Sequence, residues 1–157
     1  MYLFTYGTLM EGESRAGIMD QLGFEKIGEC DAKGFLLFHF WYGKYPIILR
    51  SNSDLDIVKG EIYESILPKE YDKEILSILD GIEGEGDMYS RRIISVSCNG
   101  KKYEPYIYVG NYMCWKDLIK NGAISPLVNN LKWSQSFFEK NSNNLLTFLS
   151  GYGRIYL

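Results

Sequence analysis

The chain reads as an α+β domain: a small, mostly antiparallel, barrel-like β-sheet with helices on its outside. Three observations predict this. Short runs rich in aromatic and β-branched residues fill much of residues 1–65 and 91–109. One stretch with clear helical spacing, residues 68–82, separates them. Asn99-Gly100 then sits between two alternating runs, which is the strongest short-range hairpin signal. With 157 residues, 46% apolar and 24% charged, the composition is that of one globular domain with a real core. Aromatics make up 15%, which suits a β-rich fold with a shaped pocket and equally suits plain core packing.

Taken in order, residues 1–6 alternate and carry aromatics, so they form the first strand, followed by a loop over residues 7–12. Residues 14–22 form a short helix with Ile18, Met19 and Leu22 on one face. Residues 26–31 form a short strand, 34–41 an aromatic one and 45–50 a third, with Pro46 near its start where a missing N–H does least harm. After a polar turn at 52–56, residues 57–65 are the clearest strand. Gly60 within it predicts close approach of another backbone or a ligand.

Pro68 opens the main helix, as proline does in a first turn. Tyr71, Ile75, Ile78, Leu79 and Ile82 form its buried stripe. Gly81 is its expected stop, which places Glu83 just past the helix end, on a turn between Gly81 and Gly84. Residues 91–98 and 101–109 form the hairpin. Residues 115–120 make a helical turn and 131–140 a helix with Trp133, Phe137 and Phe138 inward. The apolar run 145–157 is expected to pack on the domain.

Several function classes are disfavoured. The net charge is −3 and the pI about 5.2. The basic pairs Arg91-Arg92 and Lys101-Lys102 extend into no longer run, so nucleic acid is not an expected partner. No apolar stretch approaches the roughly 18 residues that a membrane helix needs, and no leader pattern is visible. Cys30, Cys98 and Cys114 are an odd set without close spacing, as in a reducing cytoplasm. His39 is the only histidine and lies in an aromatic strand, where packing is its ordinary role. No metal and no organic cofactor is expected.

Two segments carry chemistry. Tyr6-Gly7-Thr8-Leu9 directly follows a strand, and successive N–H groups in such a turn can converge on an anion, with the Thr8 hydroxyl as a further donor. Leu79-Asp80-Gly81-Ile82-Glu83-Gly84 offers an acid at the edge of apolar packing, where desolvation raises a carboxyl toward neutral pH. Each has a plainer reading beside it. Gly7 makes a turn and Tyr6 fills the core; Asp80, Glu83 and Glu85 form a solvated acidic loop.

Those two segments, with Gly43-Lys44-Tyr45-Pro46, Val58-Lys59-Gly60-Glu61-Ile62-Tyr63 and Tyr89-Ser90-Arg91, occur in an order that resembles the gamma-glutamylcyclotransferase-like family, which includes the AIG2-like proteins. The resemblance runs from about residue 2 to about residue 109. It implies a small β-barrel with surrounding helices, and an enzyme of the transferase or lyase type. That enzyme releases 5-oxoproline from a γ-glutamyl amine or γ-glutamyl amino acid by attack of the substrate's own α-amine. The implied substrate-binding residues are Tyr6, Gly7, Thr8 and Leu9, then Tyr89 lining the pocket and Arg91 bracing it through a carboxylate. The implied general acid/base is Glu83. The plain alternative for Arg91 is an exposed strand residue.

The loop reads Gly-Thr-Leu, as in the short bacterial and γ-glutamylamine-type branch, and not Gly-Ser-Asn-Leu. The resemblance does not reach the stretch from residue 115 to 157. The chain is therefore divided into a domain over residues 1–112 and an extension over 113–157 packed on it, which is expected to narrow the pocket mouth. A non-catalytic module that binds a small carboxylated metabolite on the same fold is the competing reading, and an interaction protein that docks through its aromatic tail is a third.

Overall fold

The computed structural model describes residues 1–40, 42, 44–127 and 132–136. Strand β1 (Tyr2–Thr5) leads through a looping segment into a short helix, α1 (Gly17–Gln21). Strands β2 (Phe24–Lys33), β3 (Phe35–Phe40), β4 (Tyr45–Arg50) and β5 (Ile57–Ser65) follow. A 3-10 turn (Lys69–Tyr71) enters helix α2 (Asp72–Glu83). The second half holds β6 (Tyr89–Ile93), β7 (Val96–Cys98), β8 (Lys101–Tyr103), β9 (Tyr106–Gly110), helix α3 (Tyr112–Lys120) and β10 (Ile124–Pro126).

The α+β class and the mostly antiparallel pairing are as expected, but the barrel is not closed. The described strands form three sheets: five strands in the order β2-β5-β1-β9-β6, three in the order β10-β3-β4, and the β7-β8 pair. Only β1 and β9 run parallel within the large sheet. The sequence also predicts a continuous hairpin over 91–98 and 101–109. It forms around a left-handed Asn99 (φ 50°) and Gly100 (φ 76°), but each strand is interrupted midway. Pro105 has no N–H to give to the ladder there, and a single bond from the Ile94 amide to the Pro105 carbonyl spans the gap at 3.1 Å. The hairpin tip bends over β2, where a Cβ on Gly28 would come within 3.1 Å of the Cys98 sulfur.

The central strand β1 is buried on both sides. Leu3 faces a core containing Met19, Tyr63, Ile75, Leu79 and Trp115. Phe4 faces another containing Phe35, Ile48, Ile62, Ile107 and Trp133. Alternate residues of one strand thus nucleate two cores, as a period of two requires. Gly60 meets its expectation: a Cβ there would overlap the Thr5 carbonyl and the Phe4 ring, so β1 and β5 approach closely only because it is glycine.

Several boundaries differ from the sequence reading. The first helix is confined to Gly17–Gln21, with Met19 buried. Pro68 precedes the 3-10 turn, so α2 begins at Asp72. Of the expected stripe, Ile75 and Leu79 are buried and Ile82 half-buried, while Tyr71 and Ile78 are exposed. Gly81 does not stop α2; Gly84 does, in the left-handed conformation (φ 66°, ψ 49°) with its N–H on the Asp80 carbonyl. Where a helix is expected over 131–140, Lys132 makes an isolated parallel bridge to Lys59, and Gln135 and Ser136 are helical. Trp133 is inward, at 1% exposure. Phe137, Phe138 and residues 141–157 lie outside the described residues.

One buried charge helps to hold the loop after β1. Glu61, 1% exposed, accepts from the Glu11 amide (2.7 Å), Lys26 (2.9 Å), Tyr63 (2.7 Å) and Lys132 (3.0 Å). Burial alone would raise its pKa. The four donors outweigh that and hold the carboxyl below its ordinary value. Among the described residues no helix is long and apolar enough to cross a membrane.

Candidate functional site

A cavity of about 310 Å³ opens where the chain leaves β1, and its size falls in the range of small-molecule sites. Tyr6, Gly7, Thr8, Leu9, Glu83 and Tyr89 line it together. Residues almost eighty positions apart in sequence therefore share one wall. Arg91 is not at the cavity.

The loop is shaped by its carbonyls. The Gly7 carbonyl accepts from the Met10 amide (2.9 Å), closing a turn, and the Thr8 carbonyl accepts from the Arg15 amide (2.8 Å), closing the wider loop. The amides of Gly7, Thr8 and Leu9 have no acceptor among the described residues. Three consecutive N–H groups are thus available beside a cavity, which is the anion-binding arrangement that such loops provide. Gly7 does not take a left-handed conformation. It is needed for space, since a Cβ there would sit 2.5 Å from Pro46 Cγ. The sequence gives the glycine but not this reason for it.

Glu83 is the last residue of α2, not a loop residue, so its direction is fixed by helix geometry. The residue as a whole is half-buried, yet burial dominates the behaviour of its carboxyl, which is pushed up to about 7. The C-terminal carbonyls of α2 act in the same direction, while the Arg15 guanidinium pulls the other way. A carboxyl with that pKa exchanges protons readily near neutral pH. Tyr6 and Tyr89 are held well above the ordinary tyrosine range, first by burial and then, among other charges, by Glu83. Both stay protonated: the Tyr6 hydroxyl donates to the Tyr108 carbonyl at 2.7 Å and the Tyr89 hydroxyl to the Pro46 carbonyl at 3.3 Å.

Outside the cavity, Arg91 pairs with an acid of α2. Its guanidinium donates to Asp80 at 2.6 Å, and the Tyr108 hydroxyl donates to the same carboxylate at 2.7 Å. Asp80 stands one helical turn before Glu83, so these bonds pin the end of α2 to β6 and β9. Asp80 thus ties down the helix end that carries Glu83. The sequence reading missed it, along with Arg15, Tyr45, Pro46, Met88 and Tyr108 at the cavity wall. Tyr45 and Pro46 lie in one of the quoted motifs, but nothing in the sequence signals Arg15. His39 is packed in β3, where burial lowers it to about 4 and its Nδ1 accepts from Trp133 at 3.1 Å. A neutral histidine away from the cavity offers it no base.

Several solved structures share this fold. An AIG2-like protein from Mus musculus superposes with a TM-score of 0.57 at 26% identity, over 69% of this chain and 75% of that one. An uncharacterized protein from Pyrococcus horikoshii gives 0.54 at 20% identity, over 92% and 98%. YkqA from Bacillus subtilis gives 0.60 at 22% identity, over 91% of this chain and 43% of its own. The last two are similar in fold alone. No curated protein sequence matches the chain. The family model for gamma-glutamyl cyclotransferase, AIG2-like proteins matches residues 3–134, which takes in β1 with its loop, the α2 terminus, β6 and the buried Trp133. With the loop and Glu83 brought to one cavity and most of the sequence matched, the chain belongs to the gamma-glutamyl cyclotransferase, AIG2-like family.

Proposed function

We propose that the chain is a γ-glutamyl cyclotransferase that releases 5-oxoproline from a γ-glutamyl amine or γ-glutamyl amino acid. One observation carries the reading: a carboxyl pushed up to about 7 shares a small cavity with three consecutive backbone N–H groups that have no acceptor among the described residues.

In this reading Glu83, as carboxylate, accepts a proton from the substrate's α-ammonium. The α-amine then attacks the γ-carbonyl carbon of the same molecule, forming the ring C–N bond. The carbonyl oxygen takes up negative charge, and the amides of the 7–9 loop stabilise it. Loss of one such donor typically costs about 3 kcal/mol in the transition state. When the carbonyl reforms, the γ C–N bond breaks and Glu83 returns the proton to the departing amine; the ring nitrogen gives up its second proton, and the free amine takes it up as it leaves as an ammonium. Nucleophile and electrophile belong to one molecule, so the protein's work is to hold the reactive conformer and move protons from the attacking to the departing nitrogen. The steps balance without a metal, cofactor or co-reactant.

The test is 5-oxoproline formation, measured by mass spectrometry, from a panel of γ-glutamyl amines, γ-glutamyl amino acids and γ-glutamyl peptides. Release from any of them is the expected result. Binding without release across the whole panel would favour the competing reading, a module that holds a carboxylated metabolite on the same fold.

A further inference from the structure

Arg15 is the one cationic side chain among the described residues that line the cavity. Its neighbours in sequence are engaged elsewhere. Glu11 pairs with Lys26 at 2.9 Å, and the Glu13 carboxylate accepts the Gln135 amide at 3.0 Å. Glu83, the cavity's one acid among the described residues, feels Arg15 electrostatically but forms no ion pair with it. Tyr45 and Tyr89 line the same cavity, and the guanidinium pulls their hydroxyls toward lower pKa against the stronger effect of burial. Its backbone is tied to the loop through the Thr8 carbonyl, so it holds a fixed relation to the 7–9 amides. Arg15 is exposed, whereas Tyr6 and Tyr89 are buried. The cation therefore marks the solvent side of the cavity.

We infer that Arg15 binds a carboxylate on the departing half of the substrate, so that the preferred substrates are γ-glutamyl α-amino acids and not γ-glutamyl amines. This rests on the cyclotransferase reading. The glutamyl half carries the reacting atoms and must reach Glu83 and the 7–9 amides against the buried tyrosines. The amine must leave, so its half faces solvent, where Arg15 stands. A γ-glutamyl amino acid carries one ammonium and two carboxylates, and the cavity offers Glu83, the loop amides and Arg15 to match. A γ-glutamyl amine leaves the guanidinium without a partner. A guanidinium presents several donors in a planar fork suited to a carboxylate, which a lysine does not reproduce.

The experiment compares γ-glutamyl-L-alanine with γ-glutamyl-ethylamide, which differ by that carboxylate alone. It measures kcat/KM for 5-oxoproline release by the wild type, Arg15→Gln and Arg15→Lys. The wild type is expected to favour the alanine compound by about 10- to 100-fold, the usual worth of a charge-assisted hydrogen bond. Arg15→Gln should bring the ratio close to one and Arg15→Lys should leave it in between. Added salt should erode the wild-type preference, because the charge is exposed. Equal wild-type efficiencies on the two compounds would overturn the inference and leave the cyclotransferase reading standing. The same holds if Arg15→Gln lowers both efficiencies by one factor, which would give the guanidinium to the glutamyl end. Release from no γ-glutamyl compound at all would overturn both.

Discussion

Burial of Glu83 beside Tyr6, Tyr45 and Tyr89 suits it to proton transfer and also makes it costly to ionise. Its pKa in the folded chain, about 7, lies above the ordinary 4.5, so the folded state holds this proton more tightly than the unfolded chain does. The stability it contributes is therefore full below pH 4.5 and is lost as the pH rises through 7. Glu83→Gln stays neutral throughout. In urea unfolding the variant should be more stable than the wild type by about 3 kcal/mol at pH 8, with the difference vanishing at acid pH. A variant less stable than wild type at both pH values would show that the carboxylate is well solvated or well paired. Such a gain in stability with a loss of activity is the trade-off expected where a site holds a costly buried carboxylate for function. Glu83 could be picked out in the sequence through the motif that resembles the family's, since flanking glycines with Leu79 and Ile82 alone do not set it apart from a solvated acid. Arg15 could not, since a lone arginine in a polar loop has no spacing that distinguishes it from a solvated one.

At the scale of elements, the site depends on how the end of α2 is held. Asp80 takes both the Arg91 guanidinium and the Tyr108 hydroxyl, and Tyr108 in turn offers its carbonyl to Tyr6. Asp80→Ala should cost about 1–2 kcal/mol of stability, a modest figure because the ion pair is part-exposed. It should also lower kcat through misplacement of Glu83, and steady-state kinetics beside urea unfolding would check both. Unchanged kcat with lowered stability would reduce Asp80 to a structural role. The helix itself was legible from its apolar spacing, but its end was not. Gly81 and Gly84 are both plausible stops in sequence. Only packing decides that Gly84 takes the left-handed turn, while Gly81 sits exposed, with open space where a Cβ would stand. The hairpin was legible at Asn99-Gly100, but its interruption was missed, although Pro105 lacks the N–H that a ladder needs.

For the molecule as a whole, α+β character and antiparallel pairing follow from alternation and turn residues, whereas closure of a sheet does not. The pairing of β1 with β9, about a hundred residues apart, and the split into three sheets are long-range outcomes with no local signature. The segment near Trp133 shows the same limit. That Trp133 faces inward was visible, but its partners Phe4 and Ile62 were not, nor was the reach of Lys132 to Glu61. Trp133→Ala should destabilise the fold by roughly 3–5 kcal/mol, as large buried aromatics do, and calorimetric melting would check it. Little change in melting temperature would mean that residues 132–136 are an appendage to the domain.

The most direct test of the central claim is the rate of 5-oxoproline release by wild type and Glu83→Gln, side by side on the best γ-glutamyl substrate of the panel. Loss of a positioned general acid/base should slow the variant by about 100- to 10,000-fold with the fold intact. A Glu83→Gln protein that releases 5-oxoproline at the wild-type rate would contradict the assignment of proton transfer to this carboxyl.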